Sequence, residues 1–194
     1  GTTMKSIKRV GVAAAVAALG AALAAPAMSQ ATVTVGSNLQ RAPQLAVDCG
    51  ASDCTFALSA LDNPTFAASG GIKSPTNGTI TRWRIRAGGA GVDDTNLRVV
   101  TPLAGGLFAG GAESAIVTPD PNAISEYATS VPIKAGDLIG IDCCDSNGSY
   151  FRISDGDTLQ WFSPGLGASP QAPDDGEGEL LINADIEPTA AFTT

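Results

Sequence analysis

The chain has 194 residues, of which 44% are hydrophobic and 15% are charged, and its formal net charge is −8. This length is enough for one domain with a buried core, and such an acidic chain repels phosphate backbones, which argues against a nucleic-acid partner. The sequence contains no His, which removes Ser-His-Asp and Cys-His catalysis from consideration.

Residues 1–31 are predicted to be a signal peptide, with an artefact of start-site assignment before Met4. An uncharged Ala-rich run at 10–25 is short for a membrane span and follows three basic residues: Lys5, Lys8 and Arg9. Cleavage after Ala27 or after Ala31 fits, and the strand-like residues that follow favour Ala31. Removal of this segment takes three of the 11 basic residues and none of the 19 acidic ones, which leaves a net charge of −11. We therefore expect a secreted or cell-surface protein without a membrane span, the alternative being an anchor that is retained.

Residues 32–187 are predicted to form one all-β domain. Gly and Pro are abundant, no apolar 3.6-residue period lasts for three turns, and short alternating runs recur between turn residues. This pattern is typical of a two-sheet antiparallel β-sandwich, jelly-roll-like, with about ten strands. The first runs lie at 32–35, 44–47 and 55–61.

The strongest strand pattern spans residues 77–86. Its alternation predicts a buried face with Thr81, Trp83 and Ile85. The opposite face carries three arginines: Arg82, Arg84 and Arg86. The Gly-rich segment 87–94 predicts a turn into a partner strand at 96–100, so that Trp83 anchors a central hairpin. Because like charges on one face repel, we expect acidic residues on the adjacent strand to compensate the arginines.

Later runs complete the predicted sandwich. Residues 103–111 are expected to be a loop with Leu107 and Phe108 as apolar plugs, and 113–118 a strand. Strand, tight turn and strand are predicted for 126–142, where Pro132 indicates a sheet edge or a bulge. A hairpin is predicted for 150–162 around Asp155-Gly156-Asp157. The predicted elements end with a mobile surface loop at 163–178 and a closing strand at 180–186.

Three segments carry a family resemblance: 78–85, 131–141 and 183–188, the last reading Asn-Ala-Asp-Ile-Glu-Pro. Together they resemble uncharacterised secreted β-sandwich domains of actinobacteria, in which a signal peptide precedes one domain of this length. The resemblance implies a fold and export but no activity. Residues 187–194 are similar to the opening of polycystic-kidney-type immunoglobulin-like repeats, so 188–194 is interpreted as a linker or the start of a further extracellular module, with a frayed terminus as the alternative.

Four cysteines in an exported chain are expected to form disulfides, and they allow three pairings. A Cys49–Cys54 bond closes a short turn-rich loop and leaves Cys143–Cys144 as a vicinal disulfide. The crossed pairings would instead join the two regions, but adjacent side chains on a strand point to opposite faces. The geometry therefore favours the local pairing.

Several carboxylates could carry chemistry. A weak calcium-loop pattern is formed by oxygen-bearing side chains: Asp145, Asn147, Asp155 and Asp157. Solvent-exposed turns are the simpler interpretation, and no other cofactor is indicated. The carboxylates from Asp142 to Asp157 could also serve a glycoside hydrolase, which needs a pair, but no pair stands out.

Sugar binding requires exposed aromatic rings beside hydrogen-bonding groups, and one cluster in the sequence could supply them: Tyr150, Arg152 and Trp161. Their competing role is in the core, where scarce aromatic residues are usually found. We therefore predict a non-catalytic extracellular interaction or structural module with a protein or polysaccharide partner. A carbohydrate-binding module is the alternative, and a secreted hydrolase is a weaker one.

Overall fold

The computed structural model describes residues 31–50, 52–89, 92–145 and 147–189. Within these residues the chain forms thirteen strands: β1 (Val33–Gly36), β2 (Leu45–Val47), β3 (Cys54–Ala60), β4 (Gly78–Arg86), β5 (Asn96–Pro102), β6 (Phe108–Glu113), β7 (Ile124–Ile133), β8 (Leu138–Cys143), β9 (Gly148–Arg152), β10 (Thr158–Phe162), β11 (Asp174–Glu177), β12 (Glu179–Leu180) and β13 (Ile182–Pro188). Two three-residue 3-10 turns lie at Pro64–Phe66 and Ala104–Gly106. The all-β prediction is confirmed, with more strands than the ten or so expected. The predicted signal peptide, up to residue 30, and residues 190–194 lie outside the described residues.

The strands pair antiparallel in three sheets, ordered β1-β13-β4-β7, β11-β10-β3-β8-β5-β6 and β12-β9-β2. Only Leu181 separates β12 from β13, so the chain passes directly from the three-stranded sheet into the four-stranded one. Buried side chains from all three sheets belong to one core cluster. This arrangement is consistent with the predicted β-sandwich.

The core is built around aromatic side chains. Trp83 in β4 is 1% exposed and shares the core with Phe56 of β3 and Phe151 of β9. The rings of Phe56 and Phe151 meet edge to face, with their centroids 4.7 Å apart. Burying one large apolar side chain contributes roughly 2–3 kcal/mol, so such residues dominate the stability of the fold. The prediction that Trp83 is a core anchor is confirmed.

The predicted hairpins are wrong, because their strands belong to different sheets. β4 lies in the four-stranded sheet and β5 in the six-stranded sheet, so residues 87–94 cross between sheets. Residues 153–157 separate β9 from β10 in the same way. The strand, tight turn and strand predicted for 126–142 are confirmed as β7 and β8, which lie in different sheets. Two consecutive strands can form hydrogen bonds with each other in one sheet, or they can lie in two sheets that pack face to face. Both arrangements give the same alternation of buried and exposed side chains.

A bulge in β4 changes which residues face the core. The pairing of β4 with β13 shifts between Ile80 and Arg82, which leaves Thr81 as the extra residue there, and the pairing of β4 with β7 shifts at the same place. Ile80 is therefore fully buried, as are Trp83 and Ile85, whereas Thr81 is only partly buried. The expected unbroken alternation from Thr81 onward is corrected by this bulge.

The edge strands agree only in part with expectation. β7 forms one edge of the four-stranded sheet and contains Pro132, as predicted. β6 forms one edge of the six-stranded sheet, although most of it was expected to be a loop. Its central Gly residues give it a low strand propensity, and pairing with β5 outweighs that propensity. The strand expected at 113–118 is reduced to a bridge between Val117 and Thr95.

Residues 163–173, which we name the outer loop, pack on the outside of the six-stranded sheet. Leu166 is 1% exposed and lies in a second apolar cluster with Phe162 and Leu138. The N–H of Gly110 in β6 donates to the carbonyl of Gly167 at 2.7 Å. The predicted surface loop is confirmed for 163–173, where Leu166 anchors it, whereas residues 174–177 form β11. The outer loop covers part of the outer face of the sheet.

Candidate functional site

A groove lies on the outside of the six-stranded sheet, beside the outer loop. It consists of two adjoining cavities of about 380 and 190 Å³. Both are lined by four shared residues: Asp53, Asn96, Ile116 and Asp142. The larger cavity also contacts the outer loop at 165–167, and the smaller one extends to Asp94 and Asp145. We refer to the two cavities together as the outer groove.

Asp142 at the end of β8 organises the floor of the outer groove. Its Oδ1 accepts a hydrogen bond from Thr55 Oγ1 at 2.5 Å, and its Oδ2 accepts one from Arg98 Nε at 2.8 Å. Asn96 Nδ2 also approaches Oδ2, at 3.4 Å. Asp142 is 8% exposed, so these contacts replace the water that a buried carboxylate loses.

The same network fixes the outer loop and the opposite wall. Thr55 Oγ1 accepts a hydrogen bond from the N–H of Leu166 at 2.7 Å, which joins the loop to β3. Arg98 Nη2 lies 2.6 Å from both Asp142 Oδ2 and Glu113 Oε2. Among the described residues that line the groove, Arg98 is the one cation, and it is already paired with two carboxylates.

Carboxylates at the rim keep the outer groove negative. Desolvation and then the charges of Asp142 and Asp93 raise the pKa of Asp53 above its usual value. A hydrogen bond with Asp93, followed by the charge of that residue, raises the pKa of Asp145. Negative neighbours contribute to both shifts, and a cationic ligand would relieve this repulsion.

The cysteines border the groove and adopt the predicted local pairing. Disulfides join Cys49 to Cys54 and Cys143 to Cys144. Cys54 and Cys143 are directly opposite each other in the β3–β8 pairing, and both are fully buried. Asp53 precedes Cys54 and Asp145 follows Cys144, so the disulfides help to place the rim carboxylates.

The three residues predicted for sugar binding do not form an exposed surface together. Tyr150 is fully buried, and its hydroxyl donates to the carbonyl of Asp93 at 2.5 Å. Burial raises the pKa of Tyr150 to about 12. Trp161 is partly buried and stacks on Phe56, with ring centroids 5.9 Å apart. Arg152 Nη1 donates to the carbonyl of Ala42 at 3.3 Å. The ring of Tyr150 therefore has no access to a sugar.

The carboxylates predicted for calcium binding or hydrolysis are distributed over different places. Asp145 lines the outer groove, whereas Asp157 forms a 2.6 Å ion pair with Arg41. Asp155 and Asn147 are exposed. Among the described residues, no group of three or more His, Cys, Asp or Glu side chains is arranged to hold a metal ion. The four residues do not form one cation site.

Asp157 instead belongs to a buried ionic network. Arg41 contacts Asp157 and Glu179, whose side chains are 2% and 0% exposed, and its guanidinium lies 4.1 Å from the ring centre of Phe66. Burial opposes ionisation of Asp157, but hydrogen bonds from Ser154, Arg41 and the Asp62 N–H outweigh it and lower the pKa of Asp157. This network ties the segment before β2 to β12.

Two of the three arginines on β4 have the acidic neighbours that were predicted, whereas Arg86 donates to the carbonyl of Leu39. Arg82 and Arg84 both contact Asp185 on β13 and Glu126 on β7, with N–O distances of 2.6 to 3.3 Å. Burial opposes ionisation of Asp185, but hydrogen bonds from Arg84, Thr34 and Arg82 lower its pKa to about 2. These contacts account for the arginines without an anion ligand.

Most residues of the outer groove were not identified from the sequence, which singled out Asp142 and Asp145. Asn96 and Arg98 occupy alternate positions of β5 and therefore share a face, which is the only local signal for their grouping. Asp53 and Glu113 lie near the ends of strands that are far apart in sequence. Their proximity depends on the order of strands in the sheet.

No family model, curated protein or solved structure matches the chain. Among the described residues, no helix has the length and apolar character needed to cross a membrane.

Proposed function

We propose that the chain is a secreted or cell-surface interaction module without catalytic activity, and that it binds a cationic segment of an extracellular protein in the outer groove. The observation that carries the proposal is the groove itself, a concave acidic surface in which Arg98, the only cation among the described lining residues, is already paired. The two disulfides support export, because such bonds persist in oxidising compartments.

The chemistry of the outer groove favours Lys or Arg side chains over other ligands. Rim carboxylates would pair with the cationic ends of these side chains. Ile116, which is 70% exposed, would contact their aliphatic stems. A volume of about 380 Å³ is of the size typical of ligand sites.

The hydrogen bonds that Asp142 already accepts support a binding role for the outer groove rather than hydrolysis. A glycoside hydrolase needs one carboxyl group free to donate a proton and a second free to act as nucleophile or base. Both oxygens of Asp142 already accept hydrogen bonds, from Thr55 and Arg98. For the carbohydrate alternative, no specific observation adds support, because Tyr150 is buried and Trp161 stacks on Phe56.

The proposal is tested by fluorescence anisotropy with a labelled Lys-rich peptide and a Gly/Ser-rich peptide of equal length. We expect saturable binding of the Lys-rich peptide that weakens with salt. Replacing Asp53 and Asp145 with Asn should weaken binding about fivefold, if each exposed charge pair contributes roughly 0.5 kcal/mol. A matched double variant, Asp155→Asn with Asp174→Asn, removes two charges outside the groove and should bind as the wild type does.

Equal weakening in both double variants would refute the groove as the binding site, since only the overall charge would matter. The wild type is also incubated with a panel of polysaccharides, with and without calcium. Release of reducing sugar that is lost in Asp53→Asn would replace the proposal with a hydrolase. A saturable change in Trp fluorescence that is lost in Trp161→Ala would replace it with a carbohydrate-binding module.

A further inference from the structure

The four cysteines occupy one continuous region of the core. Cys54 and Cys143 are opposite each other in the β3–β8 pairing, and the N–H of Cys49 donates to the carbonyl of Cys144 at 2.7 Å. Cys54, Cys143 and Cys144 belong to the main core cluster, and Cys49 packs against it. Each cysteine of one disulfide therefore has a neighbour in the other disulfide.

These neighbours are close enough to form disulfides with each other. Directly opposed residues of an antiparallel pair have Cα atoms about 4.5–5.5 Å apart and side chains on the same face. Disulfides span Cα distances of about 4.4–6.8 Å, so Cys54 and Cys143 fit the requirement without a change of strand register. The backbone hydrogen bond between Cys49 and Cys144 makes the second pair neighbours, and Cys144 lies beyond the end of β8, so the alternation of strand side chains does not fix its direction.

One cysteine is accessible and one is held in an unfavourable backbone conformation. Cys49 is half-buried, whereas the other three are fully buried, so a thiol from solution would react first at Cys49. Cys144 has a φ of +79°, in the left-handed region that residues with a Cβ rarely adopt. Opening the ring between Cys143 and Cys144 would allow this residue to leave that conformation.

We propose that the two disulfides form one thiol-exchange unit, in which a low-molecular-weight thiol converts the local pairs into Cys54–Cys143 and Cys49–Cys144. The added thiolate attacks Cys49 Sγ, forms a mixed disulfide and releases Cys54 as a thiolate. The Cys54 thiolate attacks Cys143 Sγ, and the bond to Cys144 breaks. The Cys144 thiolate then attacks Cys49 Sγ and releases the original thiol, so the added thiol is regenerated and no net oxidation or reduction occurs.

The exchange would change the disulfide partners of the cysteines beside the rim of the outer groove, and it requires no ligand in the groove. Asp53 precedes Cys54, and Asp145 follows Cys144, so both rim carboxylates are attached to residues that change partners. The new bonds would also join β3 to β8 covalently. The inference therefore stands independently of the function proposed for the groove.

Tryptic mapping separates the two pairings cleanly. Trypsin cuts after Arg41, Lys73, Lys134 and Arg152, which places Cys49 and Cys54 in the peptide 42–73 and Cys143 and Cys144 in the peptide 135–152. Local pairing gives two separate peptides, and crossed pairing gives one linked species. Folded wild-type protein is incubated with a glutathione redox buffer, quenched with an alkylating reagent and digested. The expected result is replacement of both separate peptides by the linked species.

The variant Cys49→Ser provides a second measurement, because it leaves Cys54 as a thiol opposite the vicinal disulfide. Without added thiol, it should yield the linked peptide and an alkylated Cys144. The double variant with Ser at positions 49 and 54 has no attacking thiol and should keep peptide 135–152 unlinked. Circular dichroism verifies that each variant is folded, and the wild-type experiment decides if one is not. Separate peptides after glutathione treatment of the folded wild type, or alkylation confined to Cys54 in Cys49→Ser, would overturn the proposal.

Discussion

Replacing Asp185 with Asn is expected to destabilise the fold in a way that depends on pH. Burial opposes ionisation of this carboxylate, but hydrogen bonds from Arg84, Thr34 and Arg82 outweigh it and lower its pKa from 3.8 to about 2. Each unit of pKa difference between the folded and unfolded states corresponds to about 1.4 kcal/mol, so the ionised group contributes about 2 kcal/mol at pH 7. A depressed folded-state pKa means that this stability is present above about pH 4 and is lost as the pH falls through about 2.

Guanidinium chloride denaturation of the wild type and Asp185→Asn at several pH values measures this contribution. The difference in unfolding free energy should be about 2 kcal/mol at pH 7, about 1 kcal/mol at pH 3 and well below 1 kcal/mol at pH 2. Asp155→Asn serves as the control, because Asp155 is exposed and its replacement should change little. A difference between the wild type and Asp185→Asn that stays constant from pH 7 to pH 2 would refute the ionic explanation.

Two further substitutions test other parts of the structure. Arg41→Ala leaves the buried carboxylates of Asp157 and Glu179 without their ion-pair partner. Breaking this network should lower the free energy of unfolding, measured by denaturation, by about 3–5 kcal/mol. A loss under about 1 kcal/mol would contradict the stabilising role of the network. Leu166→Ala removes the apolar anchor of the outer loop and should cost about 2–4 kcal/mol. Amide hydrogen exchange should then accelerate across 163–173 while Trp83 in β4 stays protected, and unchanged exchange in the loop would show that its backbone hydrogen bonds suffice.

The sequence predicts some tertiary features because residue types such as Trp, Arg and Cys are stable in only a few environments. Trp83 on an alternating strand in a chain with few aromatic residues belongs in the core, and the structure buries it. The arginines on one face of β4 require opposite charges nearby, and Asp185 and Glu126 provide them for Arg82 and Arg84. Cys49 and Cys54 flank a short loop of turn residues, which favoured the local pairing that the structure adopts.

The outer groove illustrates what the sequence does not contain. Its lining comes from the start of β3, from β5, from the ends of β6 and β8 and from the outer loop. Asp142 was identified as one carboxylate among several, but its partners Thr55, Arg98 and Asn96 were not. Each partner is distant in the chain, and only the strand order β3-β8-β5-β6 brings them together.

The sequence by itself determined most of the strand segments, most of the faces that are buried, and the local disulfides. Only the tertiary structure decided which strands pair, because alternation specifies a buried face and says nothing about the neighbour across a hydrogen-bonded ladder. A short turn between two amphipathic strands, such as 134–137, leads to a hairpin or to a crossing between sheets with the same residues buried. The turns at 87–94, 134–137 and 153–157 all cross, because joining the sheets closes one shared core that paired hairpins would have left open to water.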